Sequence, residues 1–267
     1  MKCIYKFLAV VIFLSAGCIK LNQPAPASTQ LQTAMVFSSD LEAETALAGL
    51  YTEMMTHNRY IFNGGLTLYA GLSADELVFN KTPLDTSEFG FARHAISPGS
   101  TIISGYLYGA AYTYIATANS ILRGLSTSTG VSAAEKTRLQ GQVEFTRALC
   151  YFYLVNLFGE VPLITGTSYA QNAVISRTSI SDVYTQIIND LKDAQNTIPD
   201  IYEGSLTNSN ERIFPNRSAA TTLLARVYLY QGDWTDAVTQ ASAVIADSTL
   251  YRLDSLDTVL PSKTLSF

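Results

Sequence analysis

Cysteine, histidine and tryptophan are nearly absent from this chain, with three, two and one of each in 267 residues. Cys3 and Cys18 lie close to the N-terminus and Cys150 stands alone in an apolar stretch. No intrachain disulfide is expected, so the fold must rest on its core. An apolar content of 48% over this length is enough to build one. The two histidines, His57 and His94, are far apart, with no cysteine or acid at ligand spacing. That excludes a zinc site, which needs three or four such ligands. Nucleophile-elbow, P-loop and dinucleotide-binding glycine patterns are missing too. Two acid pairs, Asp75-Glu76 and Asp190/Asp193, are what glycoside hydrolysis could draw on. Asp190 and Asp193 share a helix face and read as solvated, so the chain reads as a non-enzyme with no metal or cofactor. Basic residues are outnumbered, 17 against 22, which is a poor footprint for nucleic acid. The apolar run from Phe7 to Leu14 falls well short of the ~20 residues that span a bilayer.

That run belongs to a leader. Lys2 and Lys6 precede it, and Ser15-Ala16-Gly17-Cys18 follows, giving the charged, apolar and small-residue parts of a secretory signal. A cysteine directly after the small residues resembles the bacterial lipobox, which implies cleavage before Cys18 and acylation of that residue. Two or more acyl chains anchor a protein stably, at ~0.8 kcal/mol per buried CH₂. Loss of residues 1–17 removes two lysines and no acid, which takes the formal charge from −5 to −7. Residues 18–37, with Pro24 and Pro26 among polar residues, read as a lipidated N-terminus and tether. Residues 38–260 then form the folded domain.

The domain reads as mainly α. Ser39-x-x-Glu42 and Ser132-x-x-Glu135 are capping boxes, and Ser179 precedes Asp182 in the same relation. Apolar residues at helical spacing predict helices over 39–57, 105–124, 132–158, 179–198 and 216–247, the last broken at Gly232. Ala225, Tyr228, Gly232-Asp233-Trp234, Ala237 and Ala241 have the spacing of a tetratricopeptide repeat, that is, an antiparallel helix pair that buries its faces against stacked neighbours. Trp234 is expected to be buried there. Between the first two helices, residues 58–103 hold Gly64-Gly65, Pro83, Gly90, Pro98 and Gly99, and read as an irregular, loop-rich insertion.

Three segments together resemble the SusD/RagB family of outer-membrane nutrient-binding lipoproteins of Bacteroidetes. One is Tyr108-x3-Tyr112-x2-Ile115-x3-Asn119, with Tyr108 where the family has tryptophan. The most specific is Arg147-Ala148-Leu149-Cys150-Tyr151-Phe152-Tyr153-Leu154-Val155-Asn156-Leu157-Phe158-Gly159-Glu160-Val161-Pro162-Leu163. The third is Leu224–Trp234. Upstream of Arg147, Gln142 stands where the family often has an acid. The motif residues are apolar and suit packing, and Arg147 and Asn119 suit buried backbone or helix-end groups better than a ligand. The resemblance implies an outer-membrane protein, lipid-anchored on its cell-surface side, that captures a glycan or similar oligomer and passes it to a TonB-dependent, SusC-like transporter without breaking bonds. Family members are longer, so the chain reads as their N-terminal part. A lipid-anchored helical-repeat adaptor with a protein partner alone, or a truncated member without function, is the alternative.

Ligand contacts are expected in the irregular segment, at Asp75, Phe79, Phe89, Phe91, Arg93 and His94. Flat rings suit stacking on sugar faces, and the Arg93 fork suits hydroxyls. The competing reading is that these phenylalanines fold back as a small satellite core, and Asp75 reads as a cap that organises the loop before it reads as a ligand contact.

Overall fold

The computed structural model describes residues 36–78, 86–201 and 213–253. The leader, Cys18, the tether and Phe79 lie outside the described residues. Eleven helical elements follow in order among the described residues: α1 (Asp40–Thr56), α2 (Ile61–Ala70), α3 (Gly71–Ser73), α4 (Thr86–Ala92), α5 (Ile102–Gly109), α6 (Ala110–Thr127), α7 (Ala133–Phe158), α8 (Tyr169–Asn172), α9 (Ile180–Thr197), α10 (Arg217–Gln231) and α11 (Trp234–Ala246). The only bridge among them joins Val161 and Thr178. No described helix is long and apolar enough to cross a membrane.

The expected starts and stops are where local chemistry puts them. Ser39 accepts from the Glu42 N–H at 3.4 Å, Ser132 from Glu135 at 3.3 Å and Ser179 from Asp182 at 3.2 Å. Each satisfies a backbone donor that the first turn leaves free. At the other end of α10, Gly232 takes φ +77°, and the Asp233 N–H reaches back to the Tyr228 carbonyl at 2.9 Å. Only glycine enters that left-handed region without strain. Asp233 then caps α11 by accepting from the Asp236 N–H at 3.1 Å. Two residues thus close one helix and open its antiparallel partner.

α7 is the central element. It packs most extensively on α9, and also on α6, α1 and α10, while α10 carries α11. Leu139, Val143, Cys150, Tyr151 and Leu154 are wholly buried along it, each stabilising by ~1.5–3 kcal/mol. Gly141 is where α7 meets α9: a Cβ there would stand 2.1 Å from Thr197 Oγ1 and 3.3 Å from the Ala194 Cα. α1 is tied to α7 across more than ninety residues of sequence. Asp40 Oδ1 accepts from the Ser132 N–H at 2.6 Å, and Glu44 pairs with Arg138 at 2.6 Å.

A buried polar network crosses this core. Arg147 of α7 donates through Nε and NH2 to both oxygens of Asp190 in α9, at 2.8 and 2.7 Å, and through NH1 to Asn119 Oδ1 in α6 at 2.9 Å. Asn119 Nδ2 passes the chain on to the Ile164 carbonyl at 2.9 Å. The Tyr151 hydroxyl donates to that same carbonyl at 2.9 Å and accepts from the Ile164 N–H at 2.6 Å, and Tyr112 donates to the Pro162 carbonyl at 2.6 Å. The most specific sequence motif therefore joins three helices and fastens the strap after α7. Asn119 holds a backbone carbonyl as expected, whereas Arg147, also structural, pairs with the side chains of Asp190 and Asn119 and not with backbone or helix-end groups. The solvated reading of Asp190 is corrected: it is buried, because it carries the counter-charge of Arg147. Gln142 makes no bond to Arg147: its amide reaches the Pro215 carbonyl at 3.4 Å and its oxygen accepts from Arg138 at 3.5 Å.

Two further expectations change. The described part of residues 58–103 holds short helices, α2 to α4 and the start of α5, between its turns and loops. α2 and α5 wind with the wider i→i+5 turn, and α2 is kinked where Asn63 and Gly64 leave helical geometry. Such turns absorb an extra residue, which hides the apolar period from a 3.6-residue template. Trp234 is 64% exposed, not buried, because α11 buries only Ala237 fully and turns Trp234, Val238 and Ile245 outward.

Candidate functional site

The insertion gathers most of the residues singled out for ligand contact. α3 ends at Ser73 and α4 at Ala92, and both close with the same hydrogen-bond pattern. The Glu76 N–H reaches the Gly71 carbonyl at 2.9 Å, and the Ala95 N–H reaches the Gly90 carbonyl at 2.8 Å. In that motif the residue after the helix must be left-handed, and glycine is its usual occupant. Here the positions are held by Asp75 at φ +58° and His94 at φ +51°. Side chains cost roughly 1–2 kcal/mol each in that conformation. The two meet: His94 Nε2 lies 3.5 Å from Asp75 Oδ1, with side chains 56% and 79% exposed. Two strained, solvent-facing polar groups are therefore held together by the ends of two separate helices.

Behind them is an apolar cleft of about 320 Å³. Tyr69 and Phe91 form one wall, with ring centroids 4.9 Å apart at 34°. Leu66, Ile103, Leu107 and Phe158 form the rest, and Ser73, Ala74 and Ile96 bring the lining to within one residue of Asp75 and two of His94. Arg93 lies over the Phe89 ring at 4.4 Å from its centroid, a cation–π contact that keeps the guanidinium edge turned outward. Arg59, itself left-handed at φ +69°, pairs with Glu88 and ties α4 to the turn before α2. Beside that turn His57, Tyr60 and Tyr106 form a row of rings, with 4.8 Å between successive centroids.

The structure thus brings together Asp75 with His94 and Arg93 with Phe89. Phe91 is separated from them by burial: it is only 3% exposed and belongs to the main core, not to a separate satellite core, while also walling the cleft. Reasoning from sequence missed Tyr69, Leu66, Ile103 and Leu107. The glycines around Leu66, Tyr69 and Ile103 pointed to loop, and Leu107 read only as part of the packing face of the helix over 105–124. Among the described residues, no group of three or more His, Cys, Asp or Glu could hold a metal ion. What the arrangement offers chemically is a carboxylate acceptor, an imidazole and a guanidinium fork beside an apolar, ring-walled hollow. That is the equipment for holding a ligand with both hydroxyl edges and C–H faces.

Comparison with known proteins places these features in a family context. Residues 32–229 match a SusD-like family model described as "Starch-binding associating with outer membrane". A SusD-like protein of Formosa agariphila (P2) is 26% identical over 255 residues, covering 93% of this chain and 47% of the relative. A SusD-like protein of Bacteroides ovatus is 30% identical over 132 residues, covering 48% of this chain and 23% of the relative. Among solved structures, a laminarin-binding SusD-like protein superposes with a TM-score of 0.67 at 28% identity, over 78% of this chain and 44% of the other. A SusD homologue of Bacteroides thetaiotaomicron reaches 0.70 at 21% identity, over 83% and 43%. The chain spans about half the length of the Formosa relative that it matches along most of its own length.

Proposed function

This chain belongs to the SusD-like family, and from that membership we propose that it is a glycan-binding lipoprotein of the outer membrane that holds an oligosaccharide for a SusC-like, TonB-dependent transporter. It binds without breaking bonds. The observation that carries this reading is the placing of Asp75 and His94. Both occupy helix-end positions where glycine would be cheaper, and both point to solvent beside a ring-walled cleft. Backbone strain at exposed polar residues is what a binding site retains at the expense of stability. The sugar's hydroxyls meet Asp75, His94 and Arg93, and its C–H face meets the rings of Phe89 and the cleft. The family description and the laminarin-binding neighbour support a neutral glucan as the ligand class.

Asp75→Gly and His94→Gly separate this from a purely structural role. Each should raise stability by about 1 kcal/mol, since glycine relieves the left-handed strain, and each should weaken binding of maltoheptaose or laminarihexaose several-fold in calorimetry. Greater stability with unchanged binding would refute the site.

Anchoring rests on Cys18, which lies outside the described residues. Cys18→Ser should abolish incorporation of a labelled fatty acid and release the protein from the membrane fraction; equal labelling of the variant would rule the anchor out.

A further inference from the structure

A second cleft, of about 370 Å³, opens on a different set of helices, between the end of α9, the start of α10 and α11. Its lining is polar and contains no aromatic ring. Asp200 uses one oxygen, Oδ1, to hold α10 in place: it accepts from the Ser218 N–H at 3.2 Å, the Ser218 hydroxyl at 2.7 Å and the Asn216 amide at 3.4 Å. Its other oxygen takes no hydrogen bond among the described residues. Gln195 donates through Nε2 to Thr221 Oγ1 and to Gln240 Oε1, both at 2.8 Å, which fixes the amide and leaves its own carbonyl oxygen to the cleft. Arg217 is exposed, and its guanidinium pairs with no side chain among the described residues. Ala243 supplies an apolar patch opposite.

We propose that this cleft is a second carbohydrate subsite, which takes the hydroxyl edge of a neutral sugar residue. The inference rests on the glycan-binding reading above and adds a site to it. The charges decide the ligand class. Asp200 disfavours an anion, Arg217 disfavours a cation, and together they suit a neutral molecule that both donates and accepts. A sugar hydroxyl does both. A vicinal pair of hydroxyls spans a guanidinium fork, which donates to two oxygens at once, while Asp200 Oδ2 and the Gln195 carbonyl oxygen, unbonded among the described residues, accept from the same hydroxyls. Both acceptors are already fixed by bonds to the helices behind them, so little ordering entropy is lost when a sugar arrives. The lack of a ring means that recognition here is edge-on, in contrast to the ring-walled cleft on the insertion.

The test is a titration of the full, isotope-labelled chain with maltoheptaose and with laminarihexaose, followed by NMR at the Asn196 and Gln195 side-chain amides and at the His94 ring. With at least one sugar, the amide signals should move to saturation. Arg217→Ala and Ala243→Trp, the second filling the cleft without touching its polar groups, should each weaken that response at least tenfold and leave the His94 response as it was. Movement at His94 with still amides would overturn the second subsite and leave the first reading intact. Amides that respond equally in both variants would also overturn it. Silence at both places would overturn the two readings together. Saturation of the amides by a zwitterion such as glutamine, and by neither sugar, would overturn the carbohydrate assignment of this cleft.

Discussion

Arg147→Leu should destabilise the fold by about 3–5 kcal/mol, because it leaves the Asp190 carboxylate buried without its counter-charge. Asp190 is 2% exposed, and the pair is bidentate, at 2.7 and 2.8 Å. The Gln186 amide at 2.7 Å is the other side-chain donor to it in α9, and one neutral donor does not compensate a buried charge. The same substitution frees Asn119, so the strap at Ile164 should loosen as well. Urea unfolding of the variant measures the first effect. The double variant Arg147→Leu/Asp190→Leu should recover much of the loss, since removing both charges removes the desolvation cost along with the attraction. A single variant within 1 kcal/mol of the parent would show that the pair is not what binds α7 to α9.

Glu144, one turn before Arg147, should make stability fall as pH rises. Its Oε1 accepts from Gln140 at 2.9 Å, while Oε2 is buried with no hydrogen-bond partner. Burial, followed by the negative charges of Asp190 and Asp193, pushes its carboxyl up to about 7, against the Gln140 hydrogen bond and the Arg147 charge. The folded protein therefore binds a proton more tightly than the unfolded chain does. Stability from this group is fully present below the ordinary carboxylate value and is lost as pH rises towards 7, by up to about 3 kcal/mol. Glu144→Met keeps the side-chain shape and removes the charge. Its unfolding midpoint in urea should match the parent near pH 5 and exceed it at pH 8, by about 2 kcal/mol in stability. Parallel pH profiles for the two proteins would rule this out.

How much was legible in the sequence depended on the range of the forces involved. The starts of α1, α7 and α9 were readable because Ser39, Ser132 and Ser179 act on N–H groups only three residues away. The break at Gly232 was readable for the same reason. The burial of Asp190 was not. Its cause is Arg147, 43 residues upstream, and nothing in the sequence near Asp190 marks it off from the exposed Asp193. Trp234 misled in the opposite way: the repeat pattern promises stacked neighbours, but α11 lays only Ala237 firmly against the described structure. In the insertion the polar residues Asp75 and His94 were singled out separately, and the structure sets them 3.5 Å apart. The short helices that bring Asp75 to His94 went unread, since wide turns and a kink at Asn63-Gly64 scatter the period.

The ties between α1 and α7 have a consequence for how the chain is made. A ribosome delivers the N-terminal end first, at roughly 5–20 residues per second. Ser132 and Arg138, which fasten Asp40 and Glu44, lie 92 and 94 residues further along. For on the order of 5–20 s the first helix therefore waits for the two residues that fasten it to α7, although α2 and α6, on which it also packs, are made sooner. Docking of α1 on α7 is then a late step, which cannot be completed until Arg138 has been made.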